Sequence, residues 1–380
     1  MRSWNSITLG EVLPFKYGKN LPASKRTHSG EYDVVSSAGI IDSHDTAFTT
    51  EPCIVIGRKG SIGSLTYCPD PVWPTDTTFY VTGTPYCDLR FGYYVLQTLP
   101  LNQMNNDSAV PGLNRNDAES LAFSLPPVSE QKTIAKVLGS LDDKIAGNNK
   151  MIRIILELQK SIWIQNNVKN LSQIHLINIA EPILGGTPKR SDNSLWNGDI
   201  LWASVADMTS VSNSHLLTTA EQITEKAAET KRFAPLPAGS VLLSARGTVG
   251  HVISLAKPAA FNQSAYGFIA PKGYETALRL AIGDTVEELK SKSYGSVFST
   301  ITKQQINECL IPDVFNESFA ELHAKLNSLE TRIVIAEQEN QTLARTRDEL
   351  LPLLMSGKIT VRDAEEASAE VGIDKHEVEE

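Results

Sequence analysis

Two short stretches carry residue types and spacing that could do chemistry. Lys59-Gly-Ser-Ile-Gly63 and Arg246-Gly-Thr-Val-Gly250 each set a cation before a Gly-x-x-Gly turn at the end of a β-type run. Glycine lets backbone approach a ligand closely, and turn amides beside one cation can cradle a phosphate. A tight hairpin with a solvated cation is the alternative for either stretch alone, and the second occurrence keeps phosphate binding open. Further cations stand in Gly185-Gly-Thr-Pro-Lys-Arg190 and in its counterpart Gly18-Lys-Asn-Leu-Pro22. A Walker A loop would need Gly-x-x-x-x-Gly-Lys-Ser/Thr, which is absent, so nucleotide hydrolysis is not indicated.

No catalytic set emerges beside them. The histidines, Asp207 and the serines lack a duplicated Ser/His/Asp or metal-ligand spacing, and no Asn-Pro-Pro-aromatic run marks a base-methylating site. Cys53, Cys68, Cys87 and Cys309 are too far apart for a Cys-x-x-Cys motif and suit reduced, buried thiols. Trp73, Trp196 and Trp202 could stack on bases, although a tryptophan in a β-rich domain more often fills the core. The residues describe a binding protein.

What must position the two loops is a repeat. From Leu125-Pro-Pro-Val-Ser-Glu-Gln-Lys132 a helical pattern runs to about Trp163, with Ser129 as N-cap, and apolar residues recur by sevens at Leu138, Ile145 and Ile152 and at Leu141, Ile155 and Ile162. Asn148 is the polar exception. Leu138-Gly-Ser-Leu-Asp-Asp-Lys-Ile145 returns 188 positions later as Leu326-Asn-Ser-Leu-Glu-Thr-Arg-Ile333, continued by Leu343 and Leu350. The blocks before the helices repeat as well. The glycine loops lie 187 apart, Thr75-Asp-Thr77 matches Asn262-Gln-Ser264 at that same offset, and Ser108 to Asn114 aligns with Ser296 to Thr302 at 188. Gly18 pairs with Gly185, with roughly 20 more residues in the second block before its loop.

The expected fold class is therefore α+β: two β-rich domains in tandem, each followed by a long helix, the helices pairing as an antiparallel coiled coil. The boundaries are 1–124, 125–168, 169–312 and 313–357, with a short strand at Ile359-Thr-Val361 and a disordered acidic tail in 358–380. Strands are expected at Cys53 to Ile56, Thr78 to Val81, Ser240 to Ser244 and Val249 to Leu255, and helices at Phe91 to Gln97 and Glu275 to Leu289. Asn316 is placed to cap the second long helix, and Pro352 to kink or end it.

Composition bounds the class. A chain of 380 residues with 41% hydrophobic and 21% charged residues describes a soluble protein of two or three domains. It has neither an apolar run of membrane-spanning length nor a signal-peptide pattern, so a cytoplasmic location without membrane contact is expected. A net charge of −9 argues against nucleic acid, but residues Val361 to Glu380 hold eight acids against Arg362 and Lys375. The other 360 residues carry only −3, which permits local basic patches.

The long helices and their flanks resemble the specificity subunit of type I restriction-modification enzymes. The resemblance is carried by Leu125-Pro-Pro-Val-Ser-Glu-Gln-Lys-Thr-Ile-Ala-Lys-Val-Leu-Gly-Ser-Leu-Asp-Asp-Lys-Ile145 and by Arg347-Asp-Glu-Leu-Leu-Pro-Leu-Leu-Met-Ser-Gly-Lys-Ile359. Gly185-Gly-Thr-Pro188 and Ala245-Arg-Gly-Thr-Val-Gly250 also look like that family's target-recognition domains, and the likeness covers everything but the acidic tail. It implies a non-catalytic reader of a bipartite site in double-stranded DNA, one domain per half-site. Two methyltransferase subunits would dock on the helices and restriction/translocase subunits would join them. S-adenosylmethionine, ATP and magnesium would then belong to the partners, with no cofactor bound by this chain. A helix of 38 residues would span roughly 57 Å, enough to hold two readers at least one DNA turn apart.

On this reading the DNA-contacting candidates of the first domain are Lys19, Lys25, Arg26, Ser36, Ser37, Arg58, Lys59, Gly60 and Thr77. Those of the second are Thr187, Lys189, Arg190, Ser204, Arg246, Gly247, Thr248, Gln263 and Ser264. The docking candidates are Glu130, Gln131, Leu138, Leu141, Ile145, Leu326, Leu329 and Ile333. The second copy departs from the first after Pro312, where Asp313-Val-Phe-Asn-Glu-Ser-Phe319 replaces Val128-Ser-Glu-Gln131, so contacts of Glu130 and Gln131 need not be mirrored. A coiled-coil adaptor without DNA readout is the alternative function, separable by salt-dependent DNA affinity. A glycine-loop nucleotide enzyme is a third, testable by thermal shift with ATP or S-adenosylmethionine.

Overall fold

The computed structural model describes residues 4–104, 112–166, 168, 171–211, 213–292 and 300–372. The chain divides into two compact units, Met1–Ile145 with Thr342–Glu380, and Ala146–Gln341. Each unit therefore holds one β-rich module together with a portion of both long helices. The aligned stretches Ser108 to Asn114 and Ser296 to Thr302 lie mostly outside the described residues, but their ends agree: Asn114 caps the helix Arg115–Glu119 and Thr302 caps the helix Lys303–Glu308.

In the first unit, strands Lys16–Tyr17, Thr78–Thr82, Cys53–Gly57 and Leu65–Cys68 form an antiparallel sheet in that order. A second sheet orders Gly39–His44, Tyr32–Ser36 and Trp73–Pro74, the last pair parallel, and Asn5–Thr8 pairs with Ala122–Leu125. The run Cys53–Gly57 is buried throughout because the sheet is covered on both faces. Ile54, Ile56, Phe79 and Val81 share one core with Phe91 and Tyr94 of the helix Leu89–Thr98. That core continues into Ile134, Leu138 and Leu141 of the first long helix and Leu343, Leu350 and Leu354 of the second.

The second unit repeats this plan. Its main sheet orders Ile183–Leu184, Ala265–Phe268, Val241–Ser244 and Val252–Leu255, then adds His215–Leu216; its smaller sheet orders Glu221–Ile223, Trp196–Ala203 and Ala259–Phe261. Val241, Leu243 and Phe268 pack with Leu278 and Ile282 of the helix Glu275–Lys292, and with Trp163, Leu322 and Leu326 from the long helices.

The long helices span Val128–Gln165 and Ala320–Met355. Ser129 lies inside the first turn rather than capping it, a boundary shift of one to two residues typical of helix ends. Asn316 accepts from Ser318 N in a 3-10 turn, Glu317–Phe319, that leads into the second helix, and Pro352 sits in its last turn. Within the second unit Asn148 donates to Glu339 at 2.7 Å and Asn340 at 2.9 Å, while Gln159 donates to Glu330 at 2.7 Å. Numbering rises along one helix as it falls along the other, so the two run antiparallel there. Ile152, Ile155, Ile333 and Ala336 fill the seam between them.

The tail corrects an expectation. Ile359-Thr-Val361 joins no sheet; Val361–Glu370 is a helix, N-capped by Thr360 and closed by Asp363 in a reciprocal capping box. Its Ala364 is fully buried in the first core, with Ala367 and Val371 packed beside it. Capping and an apolar helical stripe outweigh the β-branched triplet. The remaining tail residues, 373–380, lie outside the described residues.

Candidate functional site

The two glycine loops are built by the same hydrogen bonds. In the first unit the amides of Arg58 and Lys59 donate to Thr77 O at 2.9 and 3.1 Å, and Gly63 N donates to Gly57 O at 2.8 Å. In the second the amides of Ala245 and Arg246 donate to Ser264 O at 2.7 and 3.2 Å, and Gly250 N donates to Ser244 O at 2.8 Å. Gly60, Gly63, Gly247 and Gly250 all have φ between +71° and +79°, the left-handed region that a side chain disfavours. Repetition of the glycines thus follows from backbone conformation as well as from any ligand.

The neighbouring turns match too. Gly18 N donates to Thr78 O at 3.1 Å and Gly185 N to Ala265 O at 3.5 Å, and the next amides, of Lys19 and Gly186, donate to Pro74 O and Phe261 O at 2.8 and 2.9 Å. Lys59, Gly60, Arg246, Gly247 and Thr248 are exposed at the loop tips. Lys19 Nζ lies 5.6 Å from the Phe48 ring and 5.9 Å from that of Trp73, whose indole N–H donates to Lys19 O at 2.8 Å. The Arg58 guanidinium stands 5.5 Å from the Tyr17 ring and donates to Asp76 O at 2.8 Å. Each loop is therefore a cationic edge on rigid strand ends.

Several candidates have work inside the fold. Arg26 donates to Leu21 O at 3.2 Å and faces Asp42 at 3.5 Å, while Lys25 is exposed beside it. Ser36 accepts from Ala38 N at 3.1 Å, and Ser37 is buried with its N–H toward Thr77 Oγ1 at 3.5 Å. Ser204 caps the helix Val205–Ser210 by accepting from Asp207 N at 3.1 Å. Arg190 forks onto Glu221 and lies 4.0 Å over the Trp196 ring. Trp196 and Trp202 are core residues, their indoles donating to Lys189 O and Gly186 O at 3.3 and 3.0 Å. Thr187 donates to Gln263.

The docking candidates need correction. Leu138, Leu141, Leu326 and Ile333 are completely buried by the chain's own cores, and Ile145 and Leu329 are partly covered in the same way. Gln131 is also completely buried: its Oε1 accepts from Asp88 N at 2.9 Å, and its Nε2 donates to Tyr86 O and Pro126 O, both at 2.9 Å. A seam residue turned toward the partner helix cannot also meet another protein. Glu130 remains half-exposed and bonded within the chain. Among the apolar side chains of the long helices that do face solvent, which include Val128, Ile164 and Ile335, Met151, Ile154 and Leu158 are spaced for one stripe of the first helix.

A buried polar network joins His215, Arg279, Glu330 and Glu337, and no sequence motif announces it. His215 lies between Glu330 and Glu337, and Glu330 also holds Arg279 at 2.7 Å. Glu330 and Glu337 are seven apart on one helix face, a spacing legible in the chain, but the strand that brings His215 to them was not. Among the described residues no group of three or more His, Cys, Asp or Glu side chains is placed to hold a metal ion, and no described helix is long and apolar enough to cross a membrane.

Comparison with known proteins places this geometry in context. The family model described as "Type I restriction modification DNA specificity domain" matches twice, over residues 1–157 and 168–317. A type I restriction enzyme specificity subunit of Methanocaldococcus jannaschii, MjaIX, is 26% identical over 175 residues, 45% of this chain and 40% of that protein. The EcoprrI specificity subunit of Escherichia coli is 26% identical over 145 residues, 36% of this chain and 35% of that protein. The matched region thus spans well under half the length of these two relatives. The crystal structure of a type I restriction-modification S subunit from M. genitalium aligns over 93% of this chain and 96% of that one, with a TM-score of 0.62 at 15% identity, a likeness of fold.

Proposed function

The chain belongs to the type I restriction modification DNA specificity domain family, and from that premise we propose that it is a non-catalytic specificity subunit whose two modules each read one half of a bipartite site in double-stranded DNA. The observation that carries this is the duplicated loop: one hydrogen-bond frame presents an exposed cation, Lys59 or Arg246, beside left-handed glycines in both units. A phosphate contact positions a reader without specifying sequence, so the repeated cation suits the backbone and the diverged loops suit the bases.

On this proposal the two long helices join the readers and carry adenine methyltransferase subunits, with restriction/translocase subunits added in a restriction complex. The exposed stripe Met151, Ile154 and Leu158 is the docking surface we favour, in place of the buried seam. Cofactor chemistry, with S-adenosylmethionine, ATP and magnesium, is assigned to those partners. The test is adenine-methylation mapping in cells that express this chain with its modification subunit. We expect one two-part motif that is lost when this chain is removed. Methylation independent of the chain, or DNA affinity insensitive to salt, would instead favour a coiled-coil adaptor.

A further inference from the structure

Resting on the reading of the chain as a DNA reader, we propose that Asp76 and Gln263 are equivalent base-reading positions, Asp76 accepting from the exocyclic amine of cytosine and Gln263 pairing with adenine. The two residues occupy the same point of one duplicated turn. Thr78 N donates to Thr75 O at 3.0 Å in the first copy and Ala265 N to Asn262 O at 3.3 Å in the second, so Asp76 and Gln263 each follow the first residue of a four-residue turn. The next residue, Thr77 or Ser264, has its carbonyl bound by the amides of the cationic loop, which fixes the turn against Lys59 or Arg246.

Across this frame the two copies keep residue type where it builds structure. Thr77 matches Ser264 as a hydroxyl, and Lys59 matches Arg246 as a cation. Residue type changes at the exposed tip, where Asp76 is acceptor-only and Gln263 is both donor and acceptor. The Asp76 carboxylate hydrogen-bonds to no described residue, since it is the carbonyl of Asp76 that Arg58 holds. A carboxylate on a phosphate-binding edge opposes binding unless it meets a donor, and the cytosine amine is the major-groove donor that Asp accepts from. On Gln263 the Thr187 hydroxyl occupies one acceptor position of Oε1, which orients the amide. Its Nε2 and remaining lone pair then match adenine N7 and N6.

The experiment selects randomised duplexes with the chain in complex with its modification subunit, comparing wild type with Gln263→Asp, Asp76→Gln and Thr187→Val. Gln263→Asp is expected to move one base of one half-site from adenine to cytosine by roughly tenfold, and Asp76→Gln to make the converse change in the other half-site. Thr187→Val should weaken adenine preference without altering which base is preferred, as expected of a positioning residue. Low-salt affinity for unrelated DNA should fall uniformly in Gln263→Asp and rise uniformly in Asp76→Gln through the change of charge, and stay unchanged in Thr187→Val, with the melting temperature unaltered in all three. An unchanged selected motif, with or without an equal change of binding to every sequence, would overturn the assignment while leaving the DNA-reader proposal intact. Absence of any motif for the wild type would overturn that proposal and this inference with it.

Discussion

His215 Nδ1 lies 2.8 Å from Glu337 Oε2, both side chains being buried. The other ring nitrogen faces Glu330 Oε1 at 3.2 Å, Glu330 holds Arg279 at 2.7 Å, and Ser214 Oγ stands 3.0 Å from Nδ1. Burial alone would discharge the imidazole, but the two carboxylates outweigh it and raise the His215 pKa above its ordinary value. Burial likewise pushes Glu330 up, yet Arg279 and His215 bring its pKa down to about 2. The strand His215–Leu216 is thereby tied to the second long helix within one unit.

The sign of the pH dependence follows. Protonated His215 contributes its full stabilisation below an unfolded pKa of about 6.5 and loses it as pH rises through the higher folded value. The Glu330 contribution is present above an unfolded pKa of about 4.3 and is lost only as pH falls toward the folded value. His215→Gln should therefore flatten the dependence of melting temperature on pH above about pH 6.5, the wild type losing roughly 2–4 °C for each 1 kcal/mol of ionic stabilisation as pH rises. Parallel curves in differential scanning fluorimetry would sink this account.

Gln131→Met keeps the volume of a fully buried side chain but deletes three hydrogen bonds, to Asp88 N, Tyr86 O and Pro126 O. Orphaned buried backbone groups are costly, so we expect a loss of at least about 2 kcal/mol in urea unfolding of the first unit. A change below about 0.5 kcal/mol, typical of surface substitutions, would mean that the amide is dispensable.

These residues also mark how far the chain could be read. The repeat was legible because glycine and cation types had to recur wherever backbone conformation and loop charge recur. Its depth was not: Tyr94 donates to Asp142 at 2.6 Å and Arg347 reaches Asp142 at 2.6 Å, while at the matching places of the second copy Glu330 receives Arg279 and Gln159. Pairings between elements 50 to 200 residues apart leave no local trace. Gln131 was expected at a subunit-docking surface because nothing local points to its partners at Tyr86 and Asp88, and the Leu138 and Leu326 heptads signalled a seam without saying that modules of the same chain would cover it. The tail helix was legible in Thr360 and Asp363, but the β-branched Ile359 and Val361 beside Thr360 outweighed them in the reading.

Thr360→Ala tests that helix directly. Removing the cap should cost about 1 kcal/mol and loosen the packing of Ala364 on the first core. Amide exchange over residues 361–370 is the measurement, and unaltered protection would show that the cap is not needed.

Lys59→Ala and Arg246→Ala should each weaken binding to all DNA sequences alike and lower the salt slope by about one. The reason is their duplicated position on an exposed scaffold turn rather than on a diverged loop. Titrations of a cognate and an unrelated duplex across several salt concentrations separate the outcomes. A changed sequence preference would move these cations from backbone to base contact.

Gly63→Ala and Gly250→Ala place the same change at matched points, and the two copies should answer differently. Both glycines are left-handed, at φ +71° and +79°, so each alanine carries a strain of about 1–2 kcal/mol. Beyond that, a Cβ on Gly63 would stand 2.5 Å from Asn102 N and 2.6 Å from Leu101 C, backbone atoms that cannot turn aside. On Gly250 it would meet Lys290 Cε and Val286 Cγ1, both at 2.7 Å; the exposed lysine can turn aside, while the buried, β-branched Val286 must shift as a side chain without displacing backbone. Backbone displacement must propagate into the 3-10 turn Leu101–Gln103, whereas a lysine terminus moves at little cost. Gly63→Ala is therefore expected to destabilise its unit by at least about 1 kcal/mol more than Gly250→Ala does its own, in urea unfolding followed by amide exchange in each unit. Equal costs would mean that the left-handed conformation alone, and not the close approach of residues 101 and 102, makes glycine necessary at this point of the loop.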